Sequence, residues 1–509
     1  MKVIEEQDQL LAPPQALLSR NPLKWLKFFG PGAIVASVTI GSGEIFFSSR
    51  DGAIFGYRIL WVLLAVALLK WVLAYSSMRH MILSGGHPFD RWSSLPGPWG
   101  WFPLFMFAIF MIGNPAGYSF VAGVLGTACV WLFGVGDYFL WATIFVGVAL
   151  LFLTLGGYGF LEKAQLFILS VKVGCIVVAV FFLRPDWLGA LSGALFPHSL
   201  SYPDWLFAEL PGMRNRSVWV EVLVYVSAIG GGGFDYIAYV SFLRDKRWGW
   251  SHVGVISDRQ LEQTAAQQDH PARLWLRAAL VDTIASFAMV VVISSCFAIL
   301  GTIILAPQHR VPEGVNLLNY QAAFLTSLAS WLLPIYKIGI FFAFFGCICG
   351  APALNYQVFY EYCNSLPRWR GRLSPKRLRA FFYAWYVGGG ILILWASRLF
   401  PGVQLLDLFT PVGIYTSVMA CGFYCLMNPW TDWRFLPRAL RMSTSLVALN
   451  IFAGLAFLAT GLKALWDFGQ YRSCLMLPAA IVLCIWLARR LRSLWDTPVS
   501  PETAKAELV

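Results

Sequence analysis

Apolar residues run through this chain in blocks of about 20, the length of helix that crosses a hydrocarbon core of about 30 Å, and polar residues gather between the blocks. None alternates with the period of two that a barrel strand needs, so each predicts a helix. Twelve blocks fit, at 30–55, 57–78, 100–125, 138–155, 164–183, 217–242, 274–305, 332–363, 380–398, 404–427, 442–463 and 474–492. Two of them are interrupted by glycine and then carry an acid: Gly41-Ser42-Gly43-Glu44 in the first, and Gly230-Gly231-Gly232-Gly233-Phe234-Asp235 in the sixth. Each glycine weakens a helix by about 1 kcal/mol relative to alanine, so both blocks are expected to break and free backbone carbonyls. Irregular backbone persists at membrane depth only where it is buried in protein or lines a wet cavity. A carboxylate there costs about 3 kcal/mol on insertion scales and points to function. Paired breaks in two halves of a chain point to a transporter.

Composition narrows the class to an all-α integral membrane protein. Hydrophobic residues make up 58% of the 509 and charged residues 13%, with a mean hydropathy of +0.65, which excludes a soluble domain of this length. With the amino terminus inside, about 26 of the 38 basic residues fall on the cytoplasmic side, about 9 outside, and Lys70, Lys172 and Lys337 within spans. That asymmetry supports an even number of spans and cytoplasmic termini in a cell membrane. It also assigns the net charge of +12 to topology and anionic lipid rather than to nucleic acid. The first twenty residues lack an apolar signal core, so a retained tail is expected.

Other chemistry recedes on inspection. The ten cysteines contain no Cys-x-x-Cys pair, and most, such as Cys129 and Cys421, sit singly in apolar runs as small hydrophobes. The six histidines fall in loops or at span ends, which leaves no mid-membrane imidazole as ligand or relay. Tryptophans such as Trp92, Trp99, Trp187, Trp205 and Trp430 lie near span ends, where interfacial anchoring is expected. No nucleophile and base recur at a recognisable spacing, so an enzyme is not expected. No cofactor or protein partner is expected either.

The candidate site is therefore built of oxygen: Glu44 and Asp235 as carboxylates, with Gly41, Ser42, Gly230 and Gly231 around them, an arrangement suited to a hard cation. Asn114 beside Pro115 in the third span and Lys337 near the start of the eighth are candidates for a supporting layer. The alternative is that the glycines serve close helix packing and the acids pair with Lys70, Lys172 or Lys337. A lysine reaching either acid would itself stand in for a bound cation.

Gly30-Pro31-Gly32 at the opening of the first span, then Asp51-Gly52-Ala53-Ile54-Phe55-Gly56-Tyr57 and Leu60-Trp61, resemble the start of the NRAMP divalent-metal transporters. The resemblance implies a leucine-transporter-like bundle of two inverted five-helix repeats with two further helices. It assigns 1–29 to a tail, 30–183 to the first repeat, 184–216 to an external loop, 217–430 to the second repeat, 431–495 to two added spans and 496–509 to a tail. It also implies a substrate held between the first and sixth spans, alternately exposed by rocking of one bundle against the other.

The departures shape the expected cargo. Where the family carries Asp-Pro-Gly-Asn, this chain has Gly41, Ser42, Gly43 and Glu44; near Gly233-Phe234-Asp235 it lacks the family's Met-Pro-His. Ile112-Gly113-Asn114-Pro115-Ala116-Gly117 replaces the third-span acids associated with proton passage. Without a thioether, the site should favour hard divalent ions of the magnesium or manganese type, moved without proton coupling. A small organic solute on the same fold and a non-transporting sensor or scaffold are the alternatives.

Overall fold

The computed structural model describes residues 11–19, 21–32, 43–154, 174, 176–312, 316–327, 329–366, 374–400 and 405–491. Gly41, Ser42, Lys172 and most of the fifth span lie outside the described residues, and of Glu44 the backbone alone is described. All regular structure among the described residues is helical. Eight helical stretches there are long and apolar enough to cross a membrane. Two of these each contain more than one of the expected spans: Ile45–Ser84 holds the end of the first and the whole second, and Thr444–Arg490 holds the last two. The latter turns at Gly469 and Gln470, the second with φ 53° and ψ −144°. The fourth span is a shorter helix, Tyr138–Thr154.

The third span, Trp101–Phe133, packs against the fourth, eighth, ninth and tenth. The seventh, Leu276–Leu300, packs against the first and second. Glycine lets the first and seventh spans cross at backbone distance. A Cβ on Gly52 would stand 2.1 Å from the Ala298 carbonyl oxygen, and one on Gly301 would stand 2.2 Å from that of Ser49. Small residues bring membrane helices together where no hydrophobic drive exists between them, which gives the Asp51-Gly52 segment a packing reason.

Gly30-Pro31-Gly32 also acquires a physical role. The amides of Gly30 and Gly32 donate to the two carboxylate oxygens of Asp282 at 2.8 and 2.9 Å, and the Tyr239 hydroxyl donates to the second oxygen at 2.7 Å. Pro31 withholds no needed donor, since the first amides of a helix have no partner within it. The entrance of the first span is thus fastened to the sixth and seventh.

Trp92 departs from the expected role of an exposed interfacial anchor. It is fully buried, with its indole N–H donating to Thr431 Oγ1 at 3.2 Å and its ring 4.7 Å from that of Tyr424. Trp99 and Trp187 remain about half exposed, as anchors require.

Candidate functional site at the sixth-span break

The sixth span consists of two half-helices, Val218–Ala228 and Gly233–Lys246. Between them Gly230 has φ +66° and Gly231 φ +88°, the left-handed region that residues with a Cβ seldom enter. Four consecutive glycines therefore do more than weaken a helix; they permit a reversal of backbone twist at this point. The first half ends with unpaired carbonyls at its negative pole, and the second begins with unpaired amides at its positive pole.

Asp235 answers the positive pole. Its Oδ2 accepts from the Gly232 amide at 2.6 Å, the return half of a capping box on the resumed helix. One bond leaves a carboxylate with further acceptor capacity, so the side chain is fixed without being exhausted. Lys70 of the second span, Leu60–Ser84, answers the negative pole. It is 0% exposed, and its ammonium donates to the carbonyls of Val226 at 2.9 Å, Ile229 at 2.6 Å and Gly231 at 2.6 Å. The Gly230 carbonyl accepts instead from the Tyr236 hydroxyl at 2.7 Å. Gly230 and Gly231, expected to offer their oxygens to a dissolved cation, thus give them to side chains of the protein. The Asp282 carboxylate is taken by the amides of Gly30 and Gly32 and the hydroxyl of Tyr239.

The first span meets the break directly. Gly43 lies against Ala228, where an added Cβ would stand 3.0 Å from the alanine's own. Beyond Glu44 the backbone forms a wide helical turn over Glu44–Ser48. Gln321, on the short helix Asn316–Thr326 between the seventh and eighth spans, donates to the Ile45 carbonyl at 2.7 Å and contacts Ser49 Oγ. Tyr336 in turn donates to Gln321 at 3.1 Å.

On the third span, Phe110 packs against Phe234 at 5.2 Å, and Tyr118 against Tyr386 at 4.8 Å. Asn114 stands one turn from each, on the same face. Its Nδ2 is buried with no hydrogen-bond partner among the described residues. Tyr386 is close enough to Asp235 to interact with its charge, and receives a hydrogen bond from Asn355 Nδ2 at 3.2 Å. Aromatic rings, and one buried amide without a partner among the described residues, therefore line this face of the third span, where Phe110 meets Phe234, the residue before Asp235. Lys337 is directed elsewhere: its ammonium binds the Trp131 carbonyl at 3.0 Å and lies 4.7 Å from that indole ring, near the end of the third span.

Charged contacts fasten both ends of the sixth span. At its Val218 end, Glu221 is paired with Arg50 of the first span at 2.5 Å and with Arg216 at 2.9 Å, while Arg50 also donates to the Pro312 carbonyl at 2.9 Å. At its Lys246 end, Arg244 grips both oxygens of Glu361 on the eighth span, the longer contact being 3.1 Å. Nearby, burial pushes the His87 imidazole down to about 4. Its neutral ring donates through Nε2 to the Ile237 carbonyl at 3.2 Å and accepts at Nδ1 from the Phe89 amide at 3.2 Å. No cluster of three or more His, Cys, Asp or Glu side chains among the described residues could hold a metal ion.

A helix bundle with a broken, charge-capped span buried at its centre defines the leucine-transporter-like class of membrane transporter. The family model described as natural resistance-associated macrophage protein-like matches residues 32–410, and the chain belongs to the NRAMP family. A mutant of the Eremococcus coleocola manganese transporter matches with a TM-score of 0.65 at 15% identity, over 91% of this chain and 94% of that one. The same transporter in complex with an aromatic bis-isothiourea substituted compound matches at 0.62, also at 15% identity over 91% and 94%. Mhp1, a nucleobase-cation-symport-1 family transporter with bromovinylhydantoin bound, matches at 0.51 and 14% identity, over 95% and 96%. At these identities the likeness is one of fold. No curated protein matches.

Proposed function

We propose that this NRAMP-family chain is a secondary transporter of divalent metal cations of the hard, magnesium or manganese type, working by alternating access around the first and sixth spans. The observation that carries the reading is Asp235, a carboxylate fixed at the break by the Gly232 amide beside the first-span segment at Gly43. On this reading Glu44, Ser42 and the Gly41 carbonyl contribute the first-span oxygens and Asp235 the sixth-span carboxylate. Gly230 and Gly231 shape the break, and the unused amide of Asn114 positions a water of a partly hydrated ion. Both termini face the cytoplasm across a cell membrane. Transport proceeds without proton coupling, consistent with Asn114 and Pro115 in a third-span stretch free of acids. Uptake of manganese and magnesium into proteoliposomes, with internal pH recorded, tests each part: divalent flux without stoichiometric acidification supports it, and acidification contradicts the uncoupled step.

A small organic solute is the second reading, favoured by the packed rings of Phe110 with Phe234 and Tyr118 with Tyr386 beside the third span and by an ammonium already seated on the freed carbonyls. Thermal-shift screening of divalent cations against amino acids and amines separates the two, since only a ligand that prefers the folded site raises the transition.

A further inference from the structure

The first half of the sixth span ends at Ala228, and one carbonyl of its last turn and two from the break beyond it converge on one point. That point is occupied by the Lys70 ammonium, with acceptors at 2.6, 2.6 and 2.9 Å. An ammonium carries three N–H donors, and the carbonyls of Val226, Ile229 and Gly231 each accept from it. The negative pole of the half-helix adds to the attraction. A buried charge gives up its hydration and is retained only when hydrogen bonds replace it. Asp235, close enough to interact with Lys70, supplies the opposite charge across the break.

We propose that the carbonyls of Val226, Ile229 and Gly231 form a monovalent-cation seat, which the chain fills with its own Lys70 ammonium. Half-helix carboxyl ends and unwound carbonyls are the groups with which broken transporter helices coordinate sodium or protons. Here the second span delivers the cation on a side chain, and the break closes without dissolved sodium or potassium. The inference rests on the break and not on the cargo. Its failure is read in ion-dependent stability, whereas failure of the transport reading is read in uptake.

Unfolding of the purified full chain, followed in N-methylglucamine buffer, tests the seat. The wild-type transition should be the same with sodium, potassium, ammonium or propylammonium added. Lys70→Ala should unfold several degrees lower and be raised by propylammonium but not by neutral propanol. Lys70→Met, which fills the space without a charge, should stay low under every addition. Three results would overturn the proposal: a wild-type transition raised by sodium or potassium, Lys70→Met melting with the wild type, or Lys70→Ala that propylammonium raises no more than propanol does. Where neither variant can be purified, the wild-type ion series decides.

Discussion

Lys70 and Asp235 occupy opposite poles of one interrupted helix, the ammonium on the carbonyl of Gly231 at 2.6 Å and the carboxylate on the amide of Gly232 at 2.6 Å. Adjacent residues of the break are thereby held by opposite charges, each matched to the sign of the helix end it meets. The geometry of the site is a balance of these two side chains as much as a property of the glycines between them.

Asp235→Asn separates the carboxylate's two roles. An asparagine oxygen can still accept from the Gly232 amide, so the cap survives while the charge is lost. The variant is expected to melt within a few degrees of the wild type while divalent uptake falls at least about tenfold, the loss of roughly 1.4 kcal/mol or more. Asp235→Leu, which removes the cap as well, should lose about a further 1 kcal/mol of stability. Melting curves and initial uptake rates from the same preparations check both.

Asp282 offers a stability test away from the cargo. Replacing it by alanine strands the amides of Gly30 and Gly32 and the hydroxyl of Tyr239 in a buried place. Each orphaned group costs about 1–3 kcal/mol, so Asp282→Ala should melt well below the wild type. Asp282→Asn, with one carbonyl oxygen left to accept, should fall between the two. A ranking in which alanine equals wild type would remove the fastening role.

The Arg50–Glu221 pair should behave non-additively. Removing Glu221 takes the carboxylate from two guanidinium groups and should cost about 3–5 kcal/mol, whereas removing Arg50 leaves Glu221 its pair with Arg216 and should cost less. Arg50→Met combined with Glu221→Met removes both charges and should be milder than the sum of the single changes, although Arg216 would still lose its partner. A double-mutant cycle on unfolding measures the coupling.

Asn114 should show the opposite balance of stability and function. Its Nδ2 is buried without a partner among the described residues, and an apolar replacement of similar size relieves that burden. Asn114→Leu is expected to melt at or above the wild-type temperature while its KM for the divalent ion rises several-fold. Transport kinetics beside a melting curve distinguish this from a packing role, which would move stability and leave KM unchanged.

The helical character of the apolar blocks and the interruption after Ala228 were legible because they rest on local chemistry: apolar length sets a helix, and consecutive glycines weaken one. The opening motif also led correctly to the family. The partner of Lys70 was not legible. It lies 156 to 161 positions away, and lysine buried at mid-span reads alike whether it snorkels, pairs or binds carbonyls. The role of Asp282 was not legible either, because the backbone amides of Gly30 and Gly32 that it accepts from leave no mark in a sequence. Gln321 and Tyr236 carry no motif, and their roles arise solely from the tertiary approach of a loop helix and a glycine carbonyl.

Divalent uptake by wild type and Asp235→Asn, reconstituted at equal density and matched folding, tests the transport claim most directly. Time-dependent accumulation of manganese or magnesium by the wild type, reduced at least about tenfold in the variant, is the expected result. Equal uptake by the two proteins, or no divalent flux in wild-type vesicles that do accumulate an organic solute, would contradict it.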